Sequence, residues 1–253
     1  MKIKEIEKFV KNETKNVVSV VHDFGHLRRT ARGAKWFVEI LGGNKKEQKL
    51  AYIAGLLHDI VRPVSNKTCH AKASAERARE ILKQFRLNKA DLEKIILAIR
   101  DHREKTKWQS PLHASVFLAD KILEKMGAYI VFRRCMWVGE CIDYKRTAFR
   151  EAMIRQFKTR LTKFNPNEFP EEFSELVNYQ YYWPQKFFRM FENNQAWAIE
   201  IAESFYKYGR KKMNLEIAIK QFRSSYREGE KYRKEALEYM KGKKFKFFSR
   251  LIK

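Results

Sequence analysis

Cysteines are few and long apolar runs are absent, and both shortages limit what this chain can be. Cys69, Cys135 and Cys141 form neither a C-x-x-C pair nor an even-numbered disulfide framework. No stretch approaches the roughly 18 to 20 consecutive apolar residues of a membrane span. The charged first residues are unlike a signal peptide. We therefore expect no disulfides, no transmembrane segment and a cytoplasmic setting.

Strand-like alternation is also scarce, since only residues 128–138 hint at a period of two. Elsewhere apolar residues recur at helical spacing, which predicts an all-α fold. Predicted helices cover about residues 24–41, 46–59, 70–85 and 111–127, and another begins after Asn88 as N-cap. The residues from 131 to 253 hold 26 of the 35 aromatics, and the segment around Asn165 to Pro170 resembles a linker. We therefore predict a core at 1–163 and an aromatic-rich helical extension at 164–253.

Positive charge is abundant: 54 Lys and Arg outnumber 30 Asp and Glu, for a formal charge of +24. This excess favours polyanionic partners such as nucleotides, nucleic acid or an anionic membrane surface, but its even spread locates no binding face. At the C-terminus, Phe245, Phe248 and Ile252 lie at helical spacing among basic residues. That pattern fits a self-docked tail, or an anchor on a membrane or nucleic acid.

All six histidines lie between positions 22 and 113, and His58 and Asp59 are adjacent at the end of an apolar helical run. Neither residue is stable in an apolar setting unless something binds it. His26 and Asp120 also lie on predicted inward faces. Two imidazoles and two carboxylates suit Mn, Fe, Co, Ni or Zn, with Mg as a further candidate, and leave positions for water.

A competing interpretation is that these histidines are hydrogen-bonded core residues. For His70 or His102 taken alone this is the commoner case. His22 is interpreted as structural and His113 as a surface or capping residue. For the set His26, His58, Asp59 and Asp120, the competing interpretation needs several independent coincidences, which favours a metal site.

Five segments together resemble the HD-domain superfamily of metal-dependent phosphohydrolases. They are His22-Asp23-Phe24-Gly25-His26-Leu27-Arg28-Arg29, Gly55-Leu56-Leu57-His58-Asp59-Ile60, His70-Ala71-Lys72-Ala73-Ser74-Ala75, Ile99-Arg100-Asp101-His102-Arg103 and Leu118-Ala119-Asp120-Lys121-Ile122. Their order and spacing are most similar to the small group that includes nucleotide pyrophosphohydrolases. The resemblance covers about residues 17–150. Two positions depart from the family pattern, because Leu118 replaces an expected Asp and Thr30 an expected Val.

The resemblance implies an HD-domain helical bundle whose metal is held by His26, His58, Asp59 and Asp120. It makes His70 and His102 candidates either for a second metal, giving one or two ions per chain, or for phosphate contact and proton transfer. Asp59 is a ligand that could also accept a proton. Arg62 and Lys121 are candidate phosphate contacts.

We therefore predict an enzyme that hydrolyses phosphate esters or anhydrides of phosphorylated small molecules, most readily nucleotides, with metal-activated water. Whether it is a phosphomonoesterase, a phosphodiesterase or a pyrophosphohydrolase stays open, as does its oligomeric state. The alternative is a basic helical nucleic-acid-binding module with a structural or degenerate His-Asp cluster.

Overall fold

The computed structural model describes residues 3–15, 23–61, 69–103 and 107–252. Within these ranges the chain is helical and contains no strand, which confirms the all-α prediction. The described residues divide into two compact units, the first ending at Glu124 and the second beginning at Lys125. The sequence-based boundary between residues 163 and 164 lies inside the second unit, and as a functional division it stays a prediction.

The described residues of the first unit form six α-helices and one π-helical segment. They are α1 (Ile3–Glu13), α2 (Phe24–Ile40), α3 (Lys45–Leu57), α4 (His70–Lys83), α5 (Lys89–Arg100), α6 (Pro111–Leu118) and the π-helical segment Ala119–Glu124. Helix α2 is central, because it packs against α3, α6 and the π-helical segment. Helix α5 packs against α3, α4 and α6 on another side. In this arrangement the ends of several helices lie within one apolar core.

Local signals explain where these helices begin. Asp23 caps α2, and its side chain accepts a hydrogen bond from the backbone N–H of His26. Asn44 and Glu47 form a reciprocal capping box at α3. Asn88 caps α5, as predicted, and Pro111 occupies the first turn of α6. Each cap determines the residue at which its helix begins, and each of these helices carries a candidate site residue or ends just before one.

Two predicted helices end differently in the structure. Helix α3 stops at Leu57, with His58 as its C-cap, so the His58-Asp59 pair follows the helix instead of lying within it. Helix α6 stops at Leu118 and continues as a π-helix instead of an α-helix to residue 127. A π-helix closes hydrogen bonds one residue later than an α-helix and is frequent at functional sites. Apolar periodicity does not distinguish the two forms.

A close contact sets the separation of α2 and α3. A Cβ atom built on Gly55 would lie only 2.5 Å from the Cα of Ala31, so a side chain at this position would force the helices apart. The absence of a side chain allows the two backbones to touch. His26 lies in α2 and His58 is the C-cap of α3, and this contact therefore determines how near the two histidines come.

Between residues 125 and 252 the second unit contains seven α-helices and short 3-10 turns. The helices are α7 (Gly127–Glu140), α8 (Phe149–Thr162), α9 (Ser174–Glu192), α10 (Ala196–Arg210), α11 (Leu215–Gln221), α12 (Arg227–Met240) and α13 (Phe245–Phe248). Helix α7 covers the stretch in which a period of two was noted, so that hint was wrong. Fully buried aromatics such as Phe132, Phe205 and Tyr232 confirm that this half uses aromatic residues to fill its core. No helix in the described ranges is long and apolar enough to cross a bilayer.

Candidate metal centre

Histidines and carboxylates from five segments of the first unit meet in its interior. His26 comes from α2, His58 and Asp59 follow α3, and His70 begins α4. His102 lies two residues after α5, and Asp120 lies in the π-helical segment. All are buried except His70, whose side chain is 24% exposed. His70 is therefore the member of the cluster that is most accessible to a solute.

The carboxylate of Asp59 lies among four imidazoles. Its Oδ2 is 3.5 Å from Nε2 of His26 and 3.4 Å from Nε2 of His58. Its Oδ1 is 3.4 Å from Nε2 of His70 and 3.7 Å from Nε2 of His102. Each carboxylate oxygen thus faces a different pair of imidazoles.

Hydrogen bonds at the opposite ring nitrogens fix the orientation of three of these imidazoles. Nδ1 of His58 donates to the carbonyl oxygen of Gly55 over 2.8 Å, and Nδ1 of His102 donates to that of Ile99 over 2.6 Å. Nδ1 of His26 lies 2.8 Å from a carboxylate oxygen of Glu124. With the proton on Nδ1, a neutral imidazole keeps its lone pair on Nε2. All three lone pairs then point toward Asp59, the arrangement usual for metal-binding histidines.

Burial keeps two of the imidazoles neutral. Desolvation lowers the pKa of His58 to about 4 and that of His102 to about 3, although the nearby Asp59 and Asp120 act in the opposite direction. Both rings are therefore unprotonated near pH 7. Only a neutral imidazole can bind a metal ion, so this state favours metal binding.

The donor atoms fit a divalent ion better than a hydrogen-bonded core. The separations from Asp59 exceed the usual hydrogen-bond length, and Nε2 of His58 has no hydrogen-bond partner among the described residues. Two atoms that each lie about 2.1 Å from one ion are about 3.4 Å apart at a tetrahedral angle. His26, His58 and Asp120 place donor atoms within 4.8 Å of one another, as do His58, Asp59 and His102.

Comparison with known proteins agrees with this geometry. Residues 23–124 match the model of the HD domain. The chain belongs to the HD-domain family. An uncharacterized protein of Clostridium beijerinckii is 30% identical over 128 residues, which are 49% of this chain and 78% of that protein. No solved structure matches the chain significantly. HD domains bind divalent metals, and the His-Asp cluster supplies suitable donors here.

The HD domain ends at Glu124, a residue that the sequence analysis missed. Glu124 is fully buried, and besides His26 its carboxylate accepts hydrogen bonds from Nε of Arg29 at 2.9 Å and from Nη2 of Arg29 at 3.2 Å. Arg29 is itself only 2% exposed. The guanidinium of Arg29 neutralises the buried carboxylate of Glu124, whose charge would otherwise be too costly to bury. The carboxylate in turn holds the Nδ1 side of His26 in place.

Four further residues were considered in the sequence: Lys121, Arg62, His22 and His113. Lys121 is partly exposed, and its Nζ lies 3.8 Å from Oδ2 of Asp120. Arg62 and His22 lie outside the described residues. The interpretation of His113 as a surface or capping residue was wrong. It is buried, accepts from the N–H of Gln109 at Nδ1 and donates to Asp101 from Nε2.

Proposed function

We propose that this HD-domain protein is a metal-dependent hydrolase of phosphate esters or anhydrides, with nucleotides as its substrates. The position of Asp59 among four imidazoles carries the proposal. In it, His26, His58, Asp59 and Asp120 hold the ion. A bound divalent cation supplies a water of lowered pKa and offsets charge on the phosphoryl oxygens. A formal charge of +24 supports an anionic substrate.

Residues of the chain itself would transfer protons and bind the phosphate group. Asp59 can accept a proton at Oδ1, and Nε2 of His70, 3.4 Å away, can exchange a proton with it. Because His70 is the most accessible histidine of the cluster, we assign it to the substrate side, where it contacts phosphate or protonates the leaving oxygen. Lys121 offers a cation beside Asp120 for a phosphate group. His102 has less access, since it is 1% exposed.

Metal removal and restoration test the proposal. The protein is stripped with a chelator, and Mn, Co, Ni and Mg are restored singly during a screen of nucleoside mono- and triphosphates. Phosphate and pyrophosphate are measured separately, so the product also identifies the bond that is cleaved. We expect turnover only with a restored ion. Equal turnover in chelator, or no turnover of any nucleotide with any ion, would contradict the proposed function.

A second prediction separates ion binding from substrate handling. The single lone pair on Nε2 of His58 can serve only one ion, although His58 belongs to both donor groups. The other donor set, Oδ1 of Asp59 with His70 and His102, has one ligand fewer and includes the partly exposed His70, so we expect one ion per chain to survive dialysis. His70→Gln should retain that ion and lower turnover by about 10²-fold, the lower range for loss of a proton-transfer group. Elemental analysis checks the number of ions in both proteins, and the phosphate-release assay checks the turnover of His70→Gln. Two ions per chain, one of them lost in His70→Gln, would assign this histidine to a second metal instead.

A further inference from the structure

The exposed side of α12 and the turn after it form a groove in the second unit. Its volume is about 480 Å³, and six of its nine lining residues are Lys or Arg, while two are Glu. The only apolar lining residue is Leu237. The groove is therefore strongly basic and offers little apolar surface to a partner.

Both glutamates of the groove interact with other groups of the protein. Glu230 pairs with Arg233 at 3.1 Å and accepts a hydrogen bond from the backbone N–H of Ser224. Glu238 lies 3.8 Å from Nζ of Lys244. Glu230 is thus compensated by Arg233, whereas Glu238 shares Lys244 with Glu235, which lies closer at 2.7 Å. One further acid cannot cancel the other cations of the groove.

Four cations of the groove make no ion pair within the described part of the chain. They are the exposed residues Arg227, Lys234, Lys241 and Lys243. The first three are spaced by seven residues, or nearly two turns of helix, so they share one face. At about 1.5 Å per residue, this row is about 21 Å long, with a cation every 10 Å or so. Such a row fits a linear polyanion better than a single small anion.

Other observations decide among polyanions. An acidic protein would be expected to bury apolar anchors, but the groove offers only Leu237. A membrane anchor would need several apolar residues from the C-terminal tail, but Phe248 is fully buried, and Phe247, which is 36% exposed, packs with it against Tyr179 of α9. Tyr226, directly before Arg227, is 43% exposed and offers a ring on which a base can stack.

We infer that the α12 groove binds the phosphodiester backbone of a single-stranded nucleic acid. Arg227, Lys234, Lys241 and Lys243 contact the phosphates, and Tyr226 stacks against a base. The residues of the groove belong to the second unit, and those of the metal centre belong to the first. Binding through this groove and hydrolysis at the HD centre can therefore succeed or fail independently.

The test measures fluorescence anisotropy of a labelled 15-nucleotide single strand with the full-length protein over a salt series. A gel afterwards verifies that the strand is intact. The groove variant replaces Arg227, Lys234, Lys241 and Lys243 with Gln. For single strands each phosphate contact contributes about 0.7 to the slope of log K against log salt, so four contacts predict a loss of about three in that slope. We also expect binding near 0.1 M salt to weaken at least tenfold.

A matched control replaces Lys145, Lys158, Lys163 and Lys211, exposed lysines of the same unit, with Gln. This control loses the same charge and should keep nearly the whole slope. Equal losses in both variants, or no binding by the unmodified protein, would overturn the inference. So would tighter binding of the matching duplex, of poly-glutamate or of phosphatidylserine vesicles. Unchanged nucleotide turnover in the groove variant is expected, because the HD centre is intact.

Discussion

Replacing Asp59 with Asn is expected to abolish metal-dependent turnover, with a loss of at least about a thousandfold. The two oxygens of Asp59 face different imidazole pairs, at 3.4 to 3.7 Å. Asn keeps the shape of the side chain but substitutes an N–H₂ donor for one oxygen and removes the negative charge. Loss of a ligand should cost more than the 10–100-fold typical of a residue that only supports one.

Two measurements check the Asp59→Asn prediction: turnover with saturating metal, and bound metal per chain after dialysis. Asp143→Asn is the matched control, because Asp143 is exposed and lies in the second unit. The control should match the unmodified protein in both measurements. Full turnover by Asp59→Asn would remove the proposed role of this carboxylate.

Replacing Glu124 with Gln should weaken metal binding and destabilise the first unit together. The Glu124 carboxylate accepts from His26 and Arg29, and the amide can present only one oxygen to these two donors. We expect metal affinity to fall by about 10–100-fold, because His26 loses the partner that orients it. The free energy of unfolding should fall by about 3–5 kcal/mol, because the buried Arg29 loses the carboxylate to which Nε and Nη2 donate.

A second variant separates these two effects. In Glu124→Gln combined with Arg29→Gln, no charge remains buried at this position, so much of the stability should return. Metal affinity should stay low, since His26 still lacks its carboxylate. Competition with a metal-binding dye and urea unfolding give the two quantities, and Glu168→Gln at an exposed position serves as the control. Recovery of metal affinity together with stability would show that Glu124 acts through stability alone.

Sequence reasoning located helices well where capping residues mark their ends. Residues 24–41 were predicted as one helix, and α2 spans Phe24–Ile40. The inward positions of His26, His58, His102 and Asp120 followed from apolar spacing, and each is buried. The prediction succeeded because the apolar face of a helix packs against the protein core, so any side chain on that face is buried.

Glu124 was missed for a physical reason. The run after Pro111 is predicted from its spacing to be one α-helix with Asp120 on its apolar stripe, and nothing in that pattern singles out Glu124. The π-helical segment and the partner Arg29 are both needed to see that Glu124 is buried. The signal was present, because Asp120 and Glu124 are four residues apart and Arg29 follows His26 by three. His113 was misjudged similarly, since its partner Asp101 comes from a different helix end.

The contact between Gly55 and Ala31 limits which substitutions can change the metal centre during evolution. The spacing of His26 and His58 depends on two backbones that touch, and neither of these contact positions offers a large side chain that could be exchanged. Substitutions elsewhere in the core can therefore accumulate and change stability while the distance between the two imidazoles stays nearly constant. Substitutions in the surrounding sequence should therefore change the chemistry of the metal centre little.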